Sequence, residues 1–75
     1  MIKVEVRLFA YFREGRGKKQ VMELEEGTTI LEVLEKLSID KEEAKIVLLN
    51  GMDGPLDREL KDDDVLSLFP PVGGG

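Results

Sequence analysis

The sequence contains no cysteine and no histidine. Without cysteine there can be no disulfide, no thiolate metal site and no cysteine nucleophile. Without histidine the chain lacks the usual general base and the commonest metal ligand. Because no nucleophile–base pair is available, we expect a protein that has no catalytic residues of its own and binds no metal or other cofactor.

Long hydrophobic runs are also missing. No apolar stretch approaches the roughly 20 residues that a membrane-spanning helix needs. The opening residues, Met1 to Glu5, have no signal-peptide core. These features predict a cytoplasmic protein that does not contact membranes.

The charged residues are numerous and interspersed, with a formal net charge of −5 at pH 7. The eleven basic residues form no dense cluster along the sequence. Because nucleic-acid binding depends on clustered Lys and Arg, this composition argues against a nucleic-acid partner. The net charge favours a partner with a basic surface.

Two segments near the N-terminus have the period-two pattern of half-buried strands. Apolar residues alternate with charged ones from Ile2 to Leu8, and Met22 and Leu24 are the inward residues of the second segment. Glycines and basic residues at 15–19 predict the turn between them. We therefore expect a hairpin with a loop longer than the tightest types.

One helix and two further strands follow. Thr29 and Glu32 have the spacing of a capping box, and the apolar residues that follow recur at helical spacing. Residues 46–49 and 65–69 are predicted strands, and Asn50-Gly51 is a strong turn signal. Since Pro70 and Pro71 cannot donate to a ladder, strand pairing should stop before them.

The order β-β-α-β-β favours an α+β fold, the β-grasp of ubiquitin-like proteins. The simplest closure pairs the first and last strands in parallel at the centre of a mixed four- to five-stranded sheet, with one main helix on one face. We predict a single domain over residues 1–69. Residues 70–75 would form a flexible C-terminal tail that ends in Gly-Gly.

The tail has a composition suited to entering a narrow channel. Pro70 and Pro71 favour an extended exit, Val72 follows, and the three glycines have no side chain. A carboxylate on Gly75 would be ionised at neutral pH and could attack the α-phosphorus of ATP. An inert glycine-rich end is the alternative explanation.

Two stretches carry a resemblance to a known family. The opening "MIKVEVRLFAYFRE" and the ending "LKDDDVLSLFPPVGGG" resemble β-grasp sulfur carriers of the MoaD and ThiS type, and most of all the small subunit of molybdopterin synthase. Asp63 stands where the family often has glycine. The third glycine of the ending is also seen in thiamine-type carriers.

The resemblance implies a definite chemistry. A ubiquitin-activating-like adenylyltransferase would use ATP and Mg²⁺ to adenylate Gly75, and sulfur would then replace the nucleotide to give a thiocarboxylate. That sulfur would be donated in molybdopterin biosynthesis, within a synthase that contains a large subunit. A thiamine-type carrier, a protein modifier conjugated through Gly75 and a β-grasp module with an inert tail remain alternatives.

Strand parity predicts a docking surface. If Leu66 and Leu68 face the helix, then Phe69 faces away from it, and Phe9 continues the outward set of the first strand. We expect Phe9 and Phe69 to be neighbours beside the tail and to contact partners. The family's apolar docking surface lies in this region.

Two polar groups are assigned structural roles. Three consecutive residues cannot all converge on one ion, so we interpret Asp62, Asp63 and Asp64 as a solvated turn and not as a metal site. Arg13-Glu14 matches an Arg-Glu pair of the family, and we interpret it as an ion pair or a loop anchor.

Overall fold

The structure, a computed structural model, describes residues 1–71. Within this range four strands form one mixed sheet of order β2-β1-β4-β3. The strands are β1 (Ile2–Leu8), β2 (Lys19–Leu24), β3 (Ile46–Leu49) and β4 (Val65–Phe69). Strands β1 and β4 are parallel at the centre, and the two outer strands run antiparallel to them. The predicted topology is confirmed.

One face of the sheet packs on the helix and forms the core. The inward residues of the central strands are almost completely buried, in keeping with their alternation with polar residues. They are Ile2, Val4, Val6 and Leu8 in β1, and Leu66 and Leu68 in β4. The outward residues of both strands are half-buried or exposed. The alternation of inward and outward side chains in β1 and β4, on which the docking prediction depends, is therefore confirmed.

Helix α1 (Ile30–Lys36) begins with the predicted capping box. The backbone N–H of Thr29 donates to Glu32 Oε1 at 3.0 Å, and the backbone N–H of Glu32 donates to Thr29 Oγ1 at 3.3 Å. The N–H groups of Ile30 and Leu31 donate to carbonyls of the 56–58 segment. This end of a short helix is thus fully hydrogen-bonded, which stabilises it by about 1 kcal/mol for the cap alone.

The β1–β2 connection contains a 3-10 helix, Ala10–Arg13, that the sequence pattern does not predict. Its one buried residue is Phe12, whose side chain is 2% exposed and belongs to the core. The chain must therefore turn immediately after β1 to bring Phe12 inward. This turn leaves Phe9 on the outer side of the sheet.

The turn at 61–64 is only partly solvated, which corrects the prediction for Asp64. Asp64 is 9% exposed and accepts hydrogen bonds from Asn50 Nδ2 at 2.9 Å and from the Lys61 N–H at 2.7 Å. Asn50 in turn accepts from the Val65 N–H at 2.9 Å. The carboxylate links two turns at the start of β4, a long-range contact that local composition does not show. Asp62 and Asp63 are exposed as predicted.

Asp63 has a left-handed backbone conformation, with φ of 69°. Glycine adopts this conformation freely, whereas among other residues Asp and Asn tolerate it best. The structure thus explains why aspartate can stand at a turn position that otherwise suits glycine.

Candidate functional site

The C-terminal end of β4 is the base of the predicted tail. The Phe69 carbonyl accepts a hydrogen bond from the Lys45 N–H at 3.0 Å, and the strand ends there, as the two prolines predict. Pro70 is buried and Pro71 is exposed. Four residues predicted to thread a partner's active site lie outside the described residues: Val72, Gly73, Gly74 and Gly75.

Phe9 and Phe69 meet beside this base. Their ring centroids are 4.2 Å apart and their planes differ by 9°, so the rings are stacked. The Phe9 N–H donates to the Leu68 carbonyl at 3.2 Å, which fixes the first ring against the last strand. Both side chains are half-buried. The structure therefore brings together the two residues that sequence parity selected.

Arg13 covers the outer side of this stack. Its guanidinium carbon lies 5.3 Å from the centroid of the Phe9 ring, a cation–π distance. Its Nε also donates to the Leu8 carbonyl at 2.8 Å, so the interpretation of Arg13 as a loop anchor is confirmed. Arg13 thus holds the hairpin loop against the aromatic pair.

Ile46 extends the apolar surface on the other side, and the sequence analysis did not select it. It pairs with Phe69 across the antiparallel β3–β4 ladder, so both side chains lie on the same face. Ile46 is 48% exposed. We call Phe9, Phe69 and Ile46 the apolar patch. Because residues 46–49 are all apolar, the sequence of β3 does not show which of its side chains face away from the core. The register of β3 against β4 shows that Ile46 does.

The neighbouring part of the outer face is polar. Arg7 and Glu5 form an ion pair two positions apart on β1. The hydrogen bond from Arg7 is the main reason why the pKa of Glu5 lies below its ordinary value. Both residues are paired within the chain, so neither offers an unbalanced charge beside the patch.

Two further candidate features are absent from the described residues. No group of three or more acidic side chains within residues 1–71 is arranged to hold a metal ion. No helix in this range is both long enough and apolar enough to cross a bilayer. The described part of the site consists of the apolar patch and the anchored Arg13, which lie beside the end of β4.

Comparison with protein families gives one match. The model of the ThiS family matches residues 6–75, which is almost the whole chain and includes both predicted site regions. A search of the curated proteins gives no match.

Several solved structures are similar to the chain along its length. The complex of subunits 1 and 2 of the molybdopterin-converting factor from Helicobacter pylori contains a chain with 30% identity and a TM-score of 0.65, with 99% of this chain and 100% of that chain covered. The Haloferax volcanii protein HVO 2177 has 32% identity and a TM-score of 0.79, with coverage of 99% and 87%. Small archaeal modifier protein 1 from Methanosarcina acetivorans has 27% identity and a TM-score of 0.71, with coverage of 100% and 98%.

Proposed function

The chain belongs to the ThiS family of β-grasp sulfur carriers, and on this premise we propose that it carries sulfur as a thiocarboxylate on Gly75 for molybdopterin biosynthesis. The observation that carries the proposal is the family match, which extends through the predicted tail to residue 75. The similarity to a chain in the complex of molybdopterin-converting factor subunits 1 and 2 supports the choice of pathway.

The proposed chemistry has two steps. In the first, a carboxylate oxygen of Gly75 attacks the α-phosphorus of ATP on an adenylyltransferase, which forms an acyl adenylate and releases pyrophosphate. In the second, a sulfide nucleophile attacks the acyl carbon and adenosine monophosphate leaves, so that a thiocarboxylate remains. ATP and Mg²⁺ are substrates of the partner enzyme in this scheme. The chain supplies only the carboxylate that reacts.

The composition is consistent with this division of labour. The sequence has neither cysteine nor histidine, so groups that activate ATP or deliver sulfur would belong to partners. In this proposal the role of the folded domain is to position the Gly75 carboxylate in the active site of a partner. From Phe69 to Gly75 six residues can span at most about 20 Å, so a partner that receives Gly75 must approach the apolar patch closely.

We propose that the apolar patch is the docking surface for these partners. Phe9 and Phe69 form a preorganised, half-exposed aromatic pair, and such residues act as anchors in interfaces. The adenylyltransferase and a large synthase subunit would each cover the patch in turn and draw the tail into their own active sites. Because both would use the same patch, their binding should be mutually exclusive.

An in vitro charging assay tests the proposal. The full chain is incubated with the adenylyltransferase, ATP, Mg²⁺ and sulfide, and its intact mass is measured. We expect the mass gain of replacing one oxygen by sulfur, localised to Gly75 by fragmentation. The thiocarboxylate form should then support conversion of the molybdopterin precursor by the large subunit. Charging without this conversion would favour the thiamine-type alternative.

A second candidate function is protein modification through Gly75. The structural similarity to small archaeal modifier protein 1 favours it. Because Lys61 is the last tryptic site of the chain, conjugation would leave the peptide of residues 62–75 attached to target lysines after tryptic digestion of cell extract. Such attached peptides, with no thiocarboxylate on the free chain, would support the modifier and contradict the carrier.

A further inference from the structure

The charges of the chain are distributed unevenly between the two ends of the sheet. The segment 13–19, which completes the β1–β2 loop and begins β2, contains four basic residues and one acidic residue. The rest of the chain contains seven basic and fifteen acidic residues. We call residues 13–19 the basic segment. Its local charge is opposite in sign to that of the whole chain.

The topology places this segment beside the tail base. Because β1 and β4 are parallel, the loop after β1 and the tail after β4 leave the sheet at the same end. The acidic stretches at 23–26 and 57–64 lie at the other end, where β2 finishes and β4 begins. Residues 40–45, which precede β3, also lie at the tail end and contain three acidic and two basic residues. Because residues 13–19 carry four basic residues and one acidic residue, the end that bears the tail is still more basic than the far end.

Contacts connect the basic segment directly to the apolar patch. Arg13 lies over the Phe9 ring, and the Lys18 carbonyl accepts from the Leu8 N–H at 2.8 Å. Arg16 donates to two backbone carbonyls and therefore has a structural role in the loop. The side chains of Lys18 and Lys19 are exposed and form no hydrogen bond or ion pair within the described part of the chain.

We propose that the basic segment is a second contact region, which meets an acidic rim on the protein that receives the tail and orients the approach of this chain. The inference rests on the proposed function, because that function requires a partner at this end of the sheet. Opposite charges at the contact region accelerate and orient encounters, and the acidic far end would be turned away. Net charge alone predicts a basic partner, whereas the placement of the charges predicts an acidic rim.

An acidic protein surface fits the basic segment better than a nucleic acid does. A nucleic acid presents phosphates over a long path, and its affinity depends on many cations along that path. Here the cations are few, and most of the other charged groups are acidic. A polyanion that extended beyond the basic segment would be repelled. A compact acidic rim around an active-site entrance matches the size of the segment.

A matched pair of variants tests the inference. One carries Lys18→Glu and Lys19→Glu, and the control carries Lys36→Glu and Lys61→Glu, which change the net charge equally at exposed positions outside the basic segment. Association with the adenylyltransferase that charges the wild-type chain is measured by stopped-flow fluorescence at about 50 mM and about 300 mM salt. Circular dichroism establishes that both variants are folded.

We expect the Lys18/Lys19 variant to associate about tenfold more slowly at low salt, with a smaller difference at high salt, because salt screens steering. The control should stay within about twofold of wild type, since its charges lie away from the contact. The inference would be overturned if the Lys18/Lys19 variant associated as fast as the wild-type chain, or if the control variant were slowed as much as the Lys18/Lys19 variant. Neither result would contradict the proposed charging of Gly75. Failure of the enzyme to charge the wild-type chain would overturn the proposed function and this inference together. Wild-type binding to a short DNA duplex, lost in the Lys18/Lys19 variant, would contradict the acidic rim in favour of nucleic acid.

Discussion

Phe9 and Phe69 stack with 4.2 Å between ring centroids, although sixty positions separate them in the chain. One ring follows the first strand and the other ends the last strand, so the parallel pairing of β1 and β4 brings them together. The stack joins the hairpin loop to the residue from which the tail departs. A partner that covers both rings is therefore held at a fixed distance from the start of the tail.

Replacing both phenylalanines tests whether they contribute to partner affinity more than to the stability of the fold. The variant with Phe9→Ser and Phe69→Ser should lose at least about tenfold in affinity for the adenylyltransferase, since buried aromatic anchors dominate interfaces. Its free energy of unfolding should fall by only about 1 kcal/mol, because the half-exposed pair contributes mainly its stacking. Calorimetric titration and urea unfolding give the two quantities.

Two control variants show what is expected from the loss of an exposed apolar side chain and from the loss of a core side chain. Val21→Ser removes an apolar side chain that is 64% exposed on the outer face of β2, away from the tail base, and should change neither quantity. Phe12→Ser empties a core position and should lower the free energy of unfolding by about 3 kcal/mol or more. If the Phe9/Phe69 variant unfolds as easily as Phe12→Ser, the rings are core residues and the docking hypothesis is wrong.

The proposal requires that the glycines of the tail enter a narrow channel of the partner, and a bulky side chain at Gly74 tests this requirement. Gly74→Leu should lower kcat/KM for adenylation by about 100-fold, because a misplaced reacting group loses most of its positional advantage. The affinity of docking should stay within about twofold, since the apolar patch is unchanged. The matched control Val21→Leu should leave both values at wild type. Full adenylation of Gly74→Leu would show that no narrow channel receives the tail.

The buried carboxylate at the start of β4 gives a prediction about stability. Asp64→Ala removes the acceptor of two hydrogen bonds and should lower the free energy of unfolding by about 2–3 kcal/mol. Asp57→Ala, at an exposed position, should change it by no more than about 0.5 kcal/mol. Urea unfolding at neutral pH distinguishes them. A cost for Asp64→Ala as small as that of Asp57→Ala would mean that the turn network contributes little.

Much of the fold was predictable because its signals are local. The alternation of β1, the Thr29–Glu32 capping box and the Asn50-Gly51 turn each depend on neighbouring residues, and the structure confirms all three. Pairing of β1 with β4 followed from the element order and from the preference for right-handed crossovers. The contact between Phe9 and Phe69 then followed from the alternation of inward and outward side chains along these two strands.

The features that sequence reasoning missed depend on distant partners. Ile46 lies in a run of four apolar residues, so its outward position is set by its pairing with Phe69. Asp64 ends a run of four charged residues in a polar turn, and its side chain is bonded to Asn50, fourteen positions away. The basic segment is unremarkable in a chain of mixed charge until the topology places it beside the tail. Register and packing, not composition, determine these three features.

The central claim of this account is that the carboxyl group of Gly75 is the group that reacts. Pyrophosphate exchange catalysed by the adenylyltransferase, measured with the natural chain and with a chain amidated at Gly75, tests it most directly. Amidation removes the anionic oxygen nucleophile with little change in size, so the amidated chain should still dock with unchanged affinity but support no exchange. Exchange at the same rate with both chains would contradict the account.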